Sequence, residues 1–180
     1  MRSASDAAPA PLAVVGLGAN LGDPPATLRA ALSALAPLAP AGGSVRASAF
    51  WRSAPVDAAG PDFVNAVACF PCALAPLALL DALQSIEADF GRERPYRHAP
   101  RTLDLDLLLL GELRLQTPRL VLPHPRAHLR AFVLAPLAEL LPEAVIPGQG
   151  AVATLLAAVR QDRSQAVERM PPATMNVTER

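Results

Sequence analysis

Residues 101–111 read RTLDLDLLLLG, and this stretch identifies the last strand of a predicted sheet. Successive side chains of a strand point to opposite faces, so the alternate leucines line one face while Asp104 and Asp106 project together from the other. Two carboxylates this close repel each other unless a cation lies between them. A hard divalent ion such as Mg²⁺, shared with substrate phosphates, would meet that need. An acidic strand end in water, paired with arginine, is the alternative for a bare D-x-D pattern.

The segment just before this strand favours the first interpretation, because it concentrates four arginines. They are Arg92, Arg94, Arg97 and Arg101. Guanidinium groups bind phosphate oxygens in a bidentate manner, so the cluster and the aspartates together predict a polyphosphate site. A solvated basic loop is the alternative. On the helix predicted before this loop, Gln84 and Glu87 lie on one polar face that points toward the same end.

The composition excludes other ways of binding phosphate. All sixteen basic residues are arginine, so the chain cannot contain a P-loop, which requires lysine. The formal net charge is +0, which gives no general attraction to nucleic acid or to a membrane surface. No apolar run is long enough to span a membrane, and we expect a cytoplasmic protein.

Along the whole chain, the periodicity of apolar residues predicts the order β-α-β-β-α-β. Strands are predicted over 12–17, 44–52, 62–71 and 102–110. One helix is predicted to begin at Pro24 with Asp23 as its N-cap, a second to begin at Pro76 and end at Gly91, and further helices to span 131–141 and 151–159. This order is typical of a ferredoxin-like α+β fold, an antiparallel sheet with packed helices. We expect a flexible tail over 1–10, a single domain over 11–160 and a disordered tail over 161–180.

Two short motifs favour structural rather than chemical roles. The glycines of GLGANLG, residues 16–22, match a dinucleotide-binding fingerprint poorly, and we interpret them as a tight strand-to-helix turn. Cys69 and Cys72 have the spacing of a redox motif. They lie in a strand-like apolar segment rather than at a helix start, so we expect two buried, reduced thiols.

Several segments together resemble one enzyme family. The stretch PRTLDLDLLLLG is preceded by GRERPYRHA and followed by LVLPHPRAHLRAFVLAPLAEL, and the segments GANLG, PDFVNAV and IEADFGR occur in the matching order. The pattern, from about residue 12 to 160, resembles the 6-hydroxymethyl-7,8-dihydropterin pyrophosphokinases of folate biosynthesis. The resemblance implies Mg-dependent transfer of diphosphate from ATP to the hydroxymethyl group of the pterin, with release of AMP. A monomer acting on these two small molecules is expected.

The resemblance also assigns roles to individual residues. Asp104 and Asp106 would hold two Mg²⁺ ions across the ATP phosphates, and Arg92 and Arg101 would contact phosphates during transfer. The nucleotide-side positions are Gln84, Glu87, Arg94, Arg97, His98, Leu107 (through its backbone), Arg119, His124 and Arg130. The pterin-side positions are Phe63, Asn65 and Phe132, together with the backbone of Ser53, Ala54, Pro55 and Val56.

Two stacked aromatic rings can hold a flat heterocycle, and a buried Asn can recognise amide-like groups, so these residue types suit a pterin. The chain departs from other members at Phe63, where some have Tyr, at His98, where some have an aromatic lid residue, and at Pro125, where a Tyr can occur.

Two other functions remain open from the residues alone. One is a different Mg-dependent D-x-D transferase, such as a nucleotide-sugar enzyme, and the other is a non-catalytic ferredoxin-like binding module.

Overall fold

A computed structural model describes residues 9–55, 60–91 and 102–172. Its strands and helices, in chain order, are β1 Leu12–Ala19, α1 Pro24–Leu35, β2 Arg46–Ala47, β3 Trp51–Ser53, β4 Phe63–Pro71, α2 Pro76–Asp89, β5 Asp104–Leu110, β6 Leu115–Gln116, β7 Val121–Leu122, α3 Ala131–Leu140, β8 Val145–Ile146, β9 Gly150–Ala151, α4 Val152–Val159 and β10 Val167–Arg169.

The main sheet is antiparallel, with the order β10-β3-β4-β1-β5, and β2 pairs with β4 beside β3. If β2 and β3 are counted as one interrupted strand, the first four strands have the order of a ferredoxin-like sheet, which confirms the predicted α+β fold. Two short hairpins, β6–β7 and β8–β9, lie outside this sheet.

Helices cover both faces of the sheet. The first face packs against α1 and α2, and its core includes Val15, Leu79 and Phe70. The second face packs against α3 and α4, around Val67 and Leu134. The three alternate leucines are buried in the first core, as predicted: Leu103 directly before β5, and Leu105 and Leu107 within it. Asp104 and Asp106 therefore project from the second face, where they are half-buried.

A shift in the pairing of β1 with β5 explains why four consecutive leucines are buried. Val14 pairs with Leu109 but Val15 pairs with Leu107, which makes Leu108 the extra residue of a bulge. Leu107 and Leu110 join the first core, while Leu108 and Leu109 join the second. The Leu108 carbonyl accepts a hydrogen bond from the His124 N–H at 2.9 Å. The bulge thus attaches the segment after β7 beside the aspartates.

The predicted helix ends agree with the structure. Asp23 caps α1, because its carboxylate accepts from the Ala26 N–H at 3.0 Å, and prolines occupy the first turn. After α2, Gly91 has φ 73° and donates its N–H to the Ala88 carbonyl. A positive φ is cheap only for glycine, which is why the helix ends there.

The strand predicted over 44–52 is wrong in one respect, because it is interrupted between β2 and β3. At the break, the Ser48 hydroxyl accepts from the Val67 N–H at 3.1 Å and donates to the Ala49 carbonyl at 2.7 Å. The Ser48 N–H also donates to the Val67 carbonyl. A serine side chain thus replaces a backbone acceptor in the ladder, so the regular alternation of the predicted strand ends.

The disorder predicted over 161–180 is contradicted for the residues through 172. Arg163–Gln165 form a 3-10 helix and β10 joins the sheet beside β3. Val167 packs on the second core and Met170 on the first, so the segment has apolar anchors that its polar composition conceals. The remaining residues of both predicted tails, 1–8 and 173–180, lie outside the described ranges.

The glycines of GLGANLG are distributed differently from the prediction. Gly16 and Gly18 lie inside β1, and Gly22, with φ 66°, belongs to the turn. The two cysteines are free and buried, as expected, and burial raises the pKa of Cys69 although Arg46 opposes the rise. Within the described ranges, no helix is both long enough and apolar enough to cross a membrane.

Candidate active site

The candidate site begins with a row of residues across the second face of the sheet. Gly18 of β1 pairs with Asn65 of β4 on one side and with Asp104 of β5 on the other. In the next row, Gly16 pairs with Val67 and with Asp106. Cross-strand partners share a face, and neighbouring strands are about 5 Å apart. The Cα atoms of Asn65 and Asp104 are therefore roughly 10 Å apart.

Glycine makes the surface between these two polar residues open. A Cβ at Gly18 would lie 3.4 Å from Asn65 Oδ1, and one at Gly16 would lie 3.4 Å from the Leu108 side chain. Any larger side chain at Gly18 would occupy the space between the amide and the carboxylate. This role of Gly18 was not predicted, although two glycines at i and i+2 in a buried strand are a signal of close approach.

Asn65 is held in one orientation at this surface. It is buried, and its Nδ2 donates to the Ser53 Oγ at 2.9 Å, while Phe63 pairs with Ser53 across the strands. Phe63 is half-buried at the start of β4. The hydroxyl of Ser53 was not predicted to take part, because the resemblance assigned only its backbone. Ala54 and Pro55 follow β3 directly, and Val56 lies outside the described residues.

A second polar residue supports the same end of the sheet. Asn20, which follows β1, is buried, and its Nδ2 donates to the Pro61 carbonyl at 3.3 Å. This bond connects the turn after β1 to the segment that leads into β4. No role was predicted for Asn20, although it lies in the GANLG segment that carries part of the resemblance.

The other aromatic residue assigned to the pterin lies on α3. Phe132 is half-buried in the first turn of this helix, which packs against β3 and β4. The guanidinium carbon of Arg130 lies 5.3 Å from the centre of the Phe132 ring. This distance is within the range of a cation–π contact, so Arg130 and Phe132 orient each other.

A cleft of about 260 Å³ opens along β5 next to Asp106. It gathers six residues that the sequence assigned to metal or nucleotide: Gln84, Glu87, Asp106, Leu107, Arg119 and His124. The remaining wall includes the 117–121 segment and Pro125. These residues come from α2, β5 and the loops around β7, so the fold brings distant parts of the chain together at one cleft.

Within the cleft, Glu87 is almost fully buried. Its side chain is 1% exposed, and Oε1 accepts from the Leu105 N–H at 2.7 Å. Leu105 lies between the two aspartates, so this bond connects α2 to the part of β5 that carries them. Glu87 therefore has a structural role, the hydrogen bond to β5, in addition to the nucleotide contact that the resemblance implied.

Arg119 and Gln84 occupy the exposed rim of the cleft. The Arg119 guanidinium is bound to the carboxylate of Asp81 on α2, and both side chains are more than half exposed. Exposed ion pairs contribute at most about 1 kcal/mol, so a phosphate could replace Asp81 as the partner of Arg119 at little cost. Arg130 is not part of the cleft lining, but it is near enough to affect His124.

His124 is neutral in the folded protein near pH 7. Burial, followed by the positive charges of Arg130 and Arg126, lowers its pKa to about 4, although Asp104 opposes the change. Nδ1 accepts from the Arg126 N–H at 3.2 Å, which leaves the proton on Nε2. A neutral ring with one fixed N–H is a hydrogen-bond donor of defined direction.

This pKa predicts how stability depends on pH. Because the folded-state pKa lies below the unfolded one, the unfolded chain binds more protons between these values, and stability falls as the pH decreases. Between about pH 7 and about pH 4.5 the loss from His124 should be roughly 2–3 kcal/mol. His124→Asn keeps an acceptor for Arg126, and its unfolding free energy should depend less on pH by that amount. Urea titrations without ligand measure it, and equal pH slopes for the two proteins would contradict the assignment.

The residues described contain no group of three or more His, Cys, Asp or Glu side chains that could hold a metal ion. Asp104 and Asp106 nevertheless supply two hard oxygen donors on one face, which fits Mg²⁺ completed by phosphate oxygens and water. Besides Val56, five assigned residues lie outside the described ranges: Arg92, Arg94, Arg97, His98 and Arg101.

Comparison with known proteins supports the enzyme family that the sequence resembles. The family model for 7,8-dihydro-6-hydroxymethylpterin-pyrophosphokinase matches residues 14–142. The chain is 47% identical over 160 residues to the 2-amino-4-hydroxy-6-hydroxymethyldihydropteridine pyrophosphokinase of Pseudomonas aeruginosa, covering 88% of this chain and 96% of that one. It is 40% identical to the Bacillus subtilis protein of that name, covering 72% and 77%.

Solved structures extend the comparison to the fold. A crystal structure described as HPPK-DHPS in complex with substrates superposes with a TM-score of 0.71 at 12% identity. The match covers 90% of this chain and 47% of that one, so the chain spans about half its length. At this identity the likeness concerns the fold alone.

Proposed function

Because the chain belongs to the 7,8-dihydro-6-hydroxymethylpterin-pyrophosphokinase family, we propose that the cleft along β5 binds ATP and that the surface around Asn65 binds the pterin. The enzyme transfers diphosphate from ATP to the hydroxymethyl group of 6-hydroxymethyl-7,8-dihydropterin and releases AMP, as part of folate biosynthesis. The assignment of individual residues to this reaction is the proposal.

The row formed by Asn65, Gly18 and Asp104 carries this proposal. Asn65, whose amide can recognise a heterocycle, and Asp104, whose carboxylate can hold a metal ion, have Cα atoms roughly 10 Å apart, and the residue between them is glycine. This spacing leaves room for a hydroxymethyl group to approach a phosphate from the pterin side. Transfer of a phosphoryl-type group depends mainly on such positioning and on stabilisation of charge.

On the pterin side, Asn65 would read the ring through its amide. Its Nδ2 is directed by Ser53, so Oδ1 above Gly18 is available to accept from an N–H of the heterocycle. Phe63 and Phe132 would pack on the ring faces, since offset aromatic contacts stabilise flat heterocycles. The segment after β3, from Ser53 to Val56, would supply backbone groups at the ring edge.

On the ATP side, Asp104 and Asp106 would hold two Mg²⁺ ions, which supply neutralisation of phosphate charge when bound. The ring of His124 would donate from Nε2 to a phosphate oxygen, and Arg119 would exchange Asp81 for the nucleotide. Gln84 and the backbone of Leu107 would contact the nucleoside part. The arginines at 92, 94, 97 and 101, with His98, would complete the site from the loop before β5.

Asn65→Ala tests the pterin side. Removing a buried hydrogen-bonding group leaves its partner unpaired, which costs about 1–3 kcal/mol. We expect the KM for the pterin to rise about 5- to 150-fold, with a small change in the KM for ATP, in an assay of AMP release. Gln116→Ala, an exposed amide on β6, is the control and should leave both values unchanged. Equal losses for the two substrates would overturn the assignment.

We further propose that the enzyme is a monomer in the cytoplasm that needs no nucleic acid or membrane. A single chain supplies every residue assigned to the site, and the formal net charge of +0 supports no general polyanion binding. Light scattering should give the mass of one chain, 18.8 kDa, and a stable dimer would contradict this part.

A further inference from the structure

The segment Asp162–Met170 contacts both walls of the proposed pterin site. Its strand, β10, pairs with β3 in antiparallel register, with Val167 opposite Ser53. The Met170 N–H continues the ladder by donating to the Phe50 carbonyl at 2.8 Å. β3 is therefore paired on both sides, with β4 and with β10, and the strand that presents Ser53 is not a free edge.

The same segment supports the start of α3. The side-chain oxygen of Gln165 accepts from the Ala131 N–H at 3.0 Å. The first N–H groups of a helix have no partner within the helix, so Gln165 acts as a cap supplied from 34 residues away in the sequence. The next residue along α3 is Phe132. Gln165 itself is held in a 3-10 turn that Asp162 caps, through the Ser164 N–H at 2.9 Å.

A third connection joins the two walls directly. Glu139 of α3 accepts from the Trp51 Nε1 of β3 at 2.9 Å, and from Arg169 of β10 at 2.8 and 3.1 Å. Burial alone would raise the pKa of Glu139, but the hydrogen bonds from Arg169 and Trp51 outweigh it and the pKa is lowered. Both carboxylate oxygens of Glu139 are thus bonded: Oε2 accepts from Trp51 of β3, and Oε1 accepts from Arg169 of β10.

We propose that the segment Asp162–Met170 sets the distance between the two walls of the pterin site, namely the β3–β4 surface and the start of α3. Gln165 and Arg169 are the positioning residues. Ser53 and Asn65 lie on the sheet, Phe132 lies on α3, and this segment is bonded to both. Because neither Gln165 nor Arg169 is assigned to either substrate, they act through Ala131 and Glu139. The inference rests on the proposed pterin site and adds to it residues that the resemblance, which ends near residue 160, does not cover.

Gln165→Leu provides the main test, because it removes the cap and keeps a similar volume. We expect the KM for the pterin to rise about 3- to 10-fold, from the loss of one hydrogen-bond acceptor, while the KM for ATP stays within about twofold. Gln165→Glu keeps an acceptor for the Ala131 N–H but loses the hydrogen bond that the Gln165 side chain gives to Asp162, so its KM for the pterin should lie between those of Gln165→Leu and the wild type. Gln161→Leu is the matched control, since the Gln161 side chain donates only locally, to the Ala157 carbonyl at 3.4 Å.

Arg169→Gln is the second variant and covers the case in which Gln165→Leu does not fold. It loses the paired bonds to Glu139 and should also raise the KM for the pterin selectively. A merely structural role would lower the melting temperature without separating the two KM values. The inference is overturned if both KM values rise together, if Gln165→Leu matches Gln161→Leu, or if Gln165→Glu has a KM for the pterin as high as that of Gln165→Leu.

Asn65→Ala, measured in the same assay, separates this inference from the proposed site. If Asn65→Ala raises the KM for the pterin and the Gln165 and Arg169 variants do not, the positioning role is wrong and the site stands. If Asn65→Ala leaves the KM for the pterin unchanged, the site assignment is wrong, and the inference falls with it.

Discussion

Asp106→Asn is expected to reduce kcat by about 100-fold or more, while the protein still folds. The carboxylate lines the cleft and shares one face of β5 with Asp104, so its loss removes one negative donor from the proposed metal site. Stabilisation of phosphate charge by a bound metal amounts to several kcal/mol, and each 1.4 kcal/mol changes a rate about tenfold. Steady-state release of AMP at saturating ATP and pterin measures the effect.

Two further measurements make this prediction specific. The Mg²⁺ concentration that gives half-maximal activity should rise in Asp106→Asn, because the remaining donors bind the ion more weakly. The melting temperature of the ligand-free protein should stay equal or increase, since one of two neighbouring like charges has been removed. Glu112→Gln, in the turn at the other end of β5, removes the same charge and serves as the control. Near-normal turnover in Asp106→Asn would exclude this carboxylate from the reaction.

Glu87→Ala is expected to destabilise the protein by about 3 kcal/mol. The change leaves the Leu105 N–H, deep in the protein, without its acceptor, at about 1–3 kcal/mol, and adds a cavity where a fully buried side chain was. The free energy of unfolding in urea measures the loss. Because Leu105 lies between the two aspartates, activity should also fall at temperatures where the variant is folded.

Glu87→Gln is the matched variant for this position. Its amide oxygen can still accept from the Leu105 N–H, and its volume is nearly the same, so most of the stability should be retained. A Glu87→Ala protein as stable as the wild type would contradict the structural duty of Glu87. If Glu87→Gln were as unstable as Glu87→Ala, the negative charge rather than the hydrogen bond to Leu105 would be the important feature.

Local patterns in the sequence were sufficient for much of the fold. The two-residue period of strands places Asp104 and Asp106 on one face and the alternate leucines on the other, whatever surrounds them. Capping residues such as Asp23 and Gly91 act on the backbone of their own helix, so the helix ends were predictable. The order β-α-β-β-α-β then restricts the sheet to few topologies, and the structure has the ferredoxin-like one.

Breaks in regular structure were harder to predict, because they depend on partners that are distant in the sequence. The interruption between β2 and β3 arises where the Ser48 hydroxyl takes a position in the ladder of β4. β10 was missed because three residues with mostly polar neighbours carry little signal, and its anchors are cores built from other elements. In both cases the deciding interaction lies between segments rather than within one.

The amino-acid pattern, with the family it resembles, was enough to name the residue types of the proposed chemistry: paired carboxylates on a strand, arginines in place of lysines, and an asparagine with two phenylalanines for a flat ring. How these residues meet depends on the tertiary structure. Strand register places Gly18 between Asn65 and Asp104, and the bulge at Leu108 attaches His124 beside the aspartates. The contact of Gln165 with Ala131 likewise joins two segments that are distant in the sequence. Register and docking are set by burying many apolar side chains at once, and no single segment contains that information.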